Sequence, residues 1–158
     1  MVNFRRLNQE EYDKVWDKFY ELFHFRPSIS IFPAITTDRP QLKFAIKNCF
    51  SQNFPLGKLE EYALNLFTSI SKPGDRFYAL DWQHECYDFD PREKMDKDEF
   101  DEWIIPVLPN GDYYIFLTKD FNNIWFGHPW EQTITLIGED ITKQANFRNL
   151  QNDVFPLG

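Results

Sequence analysis

The sequence predicts an α+β fold: one antiparallel sheet of about four to six strands, packed by two or three helices. Three observations carry this. Two segments repeat apolar residues at helical spacing, the second half holds short apolar runs of strand length, and the turns between those runs are too short for parallel crossovers. With 158 residues, one globular domain over 1–158 is expected, since two would each be too small for a comfortable core.

In chain order, Asn8 to Glu11 reads as a capping box. Tyr12, Val15, Trp16, Phe19, Leu22 and Phe23 then recur on one helical face over about 9–24, and Pro27 ends the helix. Residues 28–41, rich in Pro, Ser and Thr, read as an extended connection with room for a short edge strand. Leu42, Phe44 and Ile46 alternate with lysines and alanine, the pattern of a half-buried strand. A second helix follows over about 58–70, stopped by Ser71 to Asp75.

Arg76 to Phe89 reads as strand-rich. Asp90-Pro91 offers an N-cap and a first-turn proline, so the acidic stretch after it is expected to be partly helical, with Phe100, Trp103 and Ile104 as its buried side. Asn110-Gly111 signals a turn. Tyr113 to Leu117 is apolar on both faces and is expected at the centre of the sheet, covered on both sides. Strands at Ile124 to Gly127 and Thr133 to Ile137 follow. A last helix is expected over 138–150, with a loose tail from about 151.

Composition excludes several function classes. No apolar run is long enough for a membrane span, and the opening residues lack the apolar core of a secretory signal. Cys49 and Cys86 sit among apolar neighbours and read as buried thiols, so the expected compartment is the cytoplasm. The net charge of −8 argues against direct nucleic-acid binding. That charge is concentrated: Asp88 to Glu102 holds eight acidic residues and three basic ones.

Three groups of residues hold chemistry. In Tyr78 to Cys86, an extended backbone places His84 between Trp82 and Cys86 on the apolar face, with Asp81 on the other face. His84 then reads as a core imidazole bonded to backbone; the alternative is a general base or ligand in a pocket. In Phe126 to Glu131, Gly127 and Pro129 make a stiff loop presenting His128, Trp130 and Glu131, either to pin the loop or to orient a small ligand. Together Asp81, His84, His128 and Glu131 are the candidate catalytic or ligand-binding set. No zinc, calcium, Walker or Rossmann pattern is present, so neither metal nor cofactor is expected.

The third group is the acidic segment. It reads as a solvated surface or as a patch for a basic protein partner, with Asp96, Asp98, Glu99 and Asp101 as charges, and Trp103 and Phe100, if exposed, with Trp130 as apolar contacts. A nucleic-acid mimic, with carboxylates in regular rows, is a further alternative.

The words Phe77 to Tyr87, Trp103 to Pro106, Asn110 to Tyr114 and Phe126 to Glu131 resemble a family of short bacterial proteins, mainly from Firmicutes: the domain-of-unknown-function family 2716. The resemblance covers nearly the whole chain and implies a single bacterial domain with no activity to transfer. A looser resemblance is to small α+β immunity proteins. The concentrated acidic segment, the surplus of aromatics and the absence of any specific catalytic motif make a non-catalytic, immunity- or inhibitor-like interaction protein the leading expectation.

Overall fold

A computed structural model describes residues 2–148. The expected helix from 138 appears as α3 below; the tail from about 151 lies outside the described residues. Seven strands form one antiparallel sheet in the spatial order β1-β4-β3-β5-β6-β7-β2, slightly more strands than expected. The strands are β1 (Arg5–Arg6), β2 (Gln41–Ala45), β3 (Phe77–Asp81), β4 (Tyr87–Phe89), β5 (Tyr114–Thr118), β6 (Ile124–His128) and β7 (Thr133–Ile137). The extra strands are short: β1 pairs only two residues with β4, and the 76–89 segment divides into the β3–β4 hairpin.

β5 lies at the centre, and its residues Ile115 to Thr118 are all buried, as the double-sided apolar pattern predicts. α1 (Gln9–Phe23) covers one face through Val15, Trp16, Phe19 and Phe23, against Leu80, Ile115, Leu117 and Phe126. α2 (Leu56–Ser69) and α3 (Glu139–Arg148) cover the other. There Phe67 meets Phe77, Phe116 and Trp125, ring centroids about 5–6 Å apart. Trp125 is fully enclosed, and its indole N–H donates to the Val107 carbonyl at 3.2 Å.

The capping box of α1 forms as read: the Glu11 amide donates to Asn8 Oδ1 at 2.9 Å, and the Asn8 amide to the Glu11 carboxylate at 3.0 Å. His24 closes the helix in the left-handed region, at φ 48°. No strand forms in 28–40.

The acidic segment is not helical. Asp90 closes a single turn, accepting the Arg92 amide on its side chain and the Glu93 amide on its carbonyl. The Asn3 amide then binds the carbonyls of Asp90 and Lys94, tying the segment to the N-terminal strand instead of letting those carbonyls start a helix. Beyond it, Lys97 and Trp103 form an isolated bridge, and Asp98 accepts the amides of Phe100 and Glu102. Phe100 consequently stands 75% exposed, whereas Trp103 and Ile105 are buried under α2.

Candidate functional site

β3 ends at Asp81, paired with Tyr114 of β5. The chain does not continue extended. Gln83 takes φ 65°, the His84 amide donates to the Asp81 carbonyl at 3.1 Å, and the turn folds His84 back over the strand end. The expectation of His84 in the core is therefore corrected: its side chain is 65% exposed, and its Nδ1 lies 3.0 Å from Asp81 Oδ1. Asp112 Oδ2 lies 3.0 Å from the same nitrogen. The other oxygen of Asp112 accepts the Tyr113 amide at 2.8 Å, which fixes the carboxylate's direction.

The electrostatics of this trio follow from two carboxylates sharing one imidazole. Burial pushes Asp81 up to about 6; the hydrogen bond from His84 opposes this, and neighbouring Asp112 adds to it. The Asp81 hydrogen bond in turn raises His84 above its ordinary value. Both shifts favour a proton held within the trio. Burial pushes the neighbouring Cys86 thiol up to about 11, away from the reactive thiolate. His84 also borders an open cleft of about 700 Å³ with Arg6, Gln9, Tyr12 and Glu85.

His128 ends β6 in a different setting. It is fully buried, and its ring meets Tyr113 and Phe32, each 4.8 Å between centroids. Nδ1 accepts the Glu131 amide at 3.1 Å, which places the proton on Nε2. Nε2 has no hydrogen-bond partner among the described residues. Burial pulls the imidazole down to about 4, so it is neutral at pH 7. Glu131 is engaged by Lys43 and Thr133, and Trp130 packs edge-on against Tyr113, partly exposed.

The four residues Asp81, His84, His128 and Glu131 thus do not converge. Among the described residues, Asp81 and His84 gather with Asp112, whereas His128 packs on Tyr113 and accepts the Glu131 amide.

The acidic segment supplies a second feature. Several of its charges serve the fold: Asp88 binds Arg5, Arg76 and Lys119, and Asp96 accepts the Phe4 amide at 2.7 Å. Trp103, expected on the buried side of the segment and as a contact only if exposed, is 3% exposed and packs edge-on against Phe116. What reaches solvent is a cleft of about 290 Å³ in which Glu60, Asp98 and Glu102 meet Trp103, Leu108 and Tyr114. Burial holds Glu60 above the ordinary carboxyl range; Lys97 opposes this, and Glu102 and Asp101 reinforce it. Tyr114 joins the cleft to the Asp81 trio: its phenol is pushed up to about 12, mostly by burial, then by Asp81, Asp112 and Glu102.

Sequence reasoning missed Glu60 and Asp112 as site residues. Glu60 lies on α2 among ordinary solvent-side charges, with no local signal. Asp112 had one: it directly follows the Asn110-Gly111 turn and precedes a central strand, a position that presents a side chain at the sheet end.

Fold and site together define a small antiparallel α+β protein with an acidic sheet end that carries an imidazole between two carboxylates. The chain belongs to the family described as Protein of unknown function (DUF2716), whose model matches residues 6–142. It is also similar to the "Uncharacterized protein YxiI" of Bacillus subtilis (strain 168), 37% identical over 148 residues, covering 89% of this chain and 91% of that protein. No solved structure matches. No helix among the described residues is long and apolar enough to cross a membrane.

Proposed function

We propose that this protein is a non-catalytic binding protein, inhibitor- or immunity-like, whose partner is a basic protein docked on the acidic cleft between α2 and the 98–108 segment. The cleft carries the reading: three carboxylates, Glu60, Asp98 and Glu102, line it together with the partly exposed apolar surfaces of Leu108 and Tyr114. A lysine or arginine side chain fits that combination, its stem on the apolar wall and its head among the carboxylates. Phe100, 75% exposed beside Asp98, offers an apolar contact at the interface. Glu99, exposed, adds long-range attraction that speeds encounter with a basic surface, and Asp101, 88% exposed at its side chain, would exchange its 3.4 Å pairing with Lys97 for the partner.

Affinity capture from the native host tests this, comparing the wild type with a Glu60→Gln/Glu102→Gln variant and with Phe100→Ala. A basic protein retained by the wild type, released by added salt and lost from both variants is the expected result. Equal retention by the double variant, or no specific partner, overturns the reading.

A further inference from the structure

We propose that Asp81, His84 and Asp112 form a binding site for one first-row divalent cation, of the Mn²⁺ or Zn²⁺ class, at the open end of the sheet. The donor atoms are one imidazole nitrogen and two carboxylate oxygens, a mixed set that suits these ions better than the all-oxygen shell of calcium.

Geometry supports it first. Asp81 Oδ1 and Asp112 Oδ2 each stand 3.0 Å from His84 Nδ1, and the three atoms lie within 4.8 Å of one another. An ion with bonds of about 2.1 Å has neighbouring ligands about 3 Å apart when they meet at right angles. The donors are also preset by their own backbone contacts. Asp81 is held by strand pairing with Tyr114, His84 by its amide bond to the Asp81 carbonyl, and Asp112 by the Tyr113 amide on the oxygen that faces away. Such supporting bonds fix ligand directions in metal sites.

Charge supports it independently. Elsewhere among the described residues covered carboxylates meet a lysine or arginine: Asp88 binds Arg5, Arg76 and Lys119, and Glu131, also 20% exposed at its side chain, binds Lys43. Asp81 and Asp112 are partly covered, at 20% and 14% of side-chain exposure, yet among the described residues neither pairs with a lysine or arginine. With neutral His84 the trio carries two negative charges, which a divalent ion matches. The exposed side of His84 leaves the remaining coordination positions to water.

The rival is a trio that is only an imidazolium bridging two carboxylates. Titration of the full chain with Mn²⁺, followed by the electron paramagnetic resonance of the free ion, and with Zn²⁺ by calorimetry, separates the two. His84→Ala and Asp112→Asn serve as variants, their folding checked by circular dichroism. The expected result is one equivalent bound by the wild type and affinity weakened about tenfold or more in each variant. Absence of saturable binding, or equal binding by folded variants, overturns the site. No partner protein enters this measurement, so its outcome is separate from that of the docking proposal.

Discussion

Asp81 Oδ1 and His84 Nδ1 lie 3.0 Å apart because Gln83, between them, stands in the left-handed region at φ 65°. A β-branched residue there is strained. Gln83→Val is expected to lower stability by about 1–2 kcal/mol, whereas Gln83→Gly stays within about 1 kcal/mol of the parent. Urea denaturation measures both. The His84 imidazole resonances should move in the valine variant and stay in place in the glycine variant.

Gly138 joins β7 to α3 at φ 122°, and a Cβ there would sit 2.1 Å from the Asn122 carbonyl oxygen. It would also come within 2.8 Å of Asn123 Oδ1, the acceptor that caps α3 through the Ile141 amide. Gly138→Ala is expected to cost at least about 2 kcal/mol by thermal or urea melting. Gly74→Ala is the control: its φ is also positive, at 92°, but nothing lies within 4 Å of the added carbon. It should lose only the conformational cost, about 1 kcal/mol.

Asp88 is 2% exposed and binds three cations drawn from β1, the residue just before β3 and the turn after β5. Burial alone would raise its pKa; Arg5, Arg76 and Lys119 together outweigh burial and hold it below the ordinary value. Its contribution is therefore present above the ordinary aspartate pKa and lost as pH falls through the lowered one. Asp88→Ala is expected to cost about 2 kcal/mol at pH 7, less than a fully enclosed pair would, because the cations reach solvent. Equal stability of variant and parent at pH 7 would refute the network's role.

Much of the fold was legible because its signals are local. The capping box at Asn8, the apolar spacing of α1 and the two-sided apolar run of β5 each depend on a few neighbouring residues. The acidic segment was misread because Asp90-Pro91 initiates a turn as readily as a helix, and the deciding contact comes from Asn3, 87 residues away. The site was half legible for the same reason. Asp81 and His84 were visible as chemistry, but their convergence depends on one positive φ angle at a glutamine. Asp112 joins them only through the β3–β5 pairing, which no local pattern specifies.

His128 gives the protein a testable acid sensitivity. In the fold its imidazole is pulled down to about 4, against an ordinary 6.5. Between those values the unfolded chain binds a proton that the native state does not, so stability falls as pH drops through the window and is fully recovered above it. The shift corresponds to roughly 3 kcal/mol by pH 4. Asp81 works in the opposite sense: its raised pKa gives the native state the extra proton between the ordinary 3.8 and about 6, favouring the fold on acidification. A single melting series would mix the two, so the informative quantity is the difference between parent and His128→Asn. The variant keeps an acceptor for the Glu131 amide but gives up the ring contacts with Tyr113 and Phe32. It should be less stable at pH 7 and should lose less stability than the parent between pH 6.5 and 4.5. Parallel losses in the two proteins would mean that His128 accepts a proton without disturbing its packing.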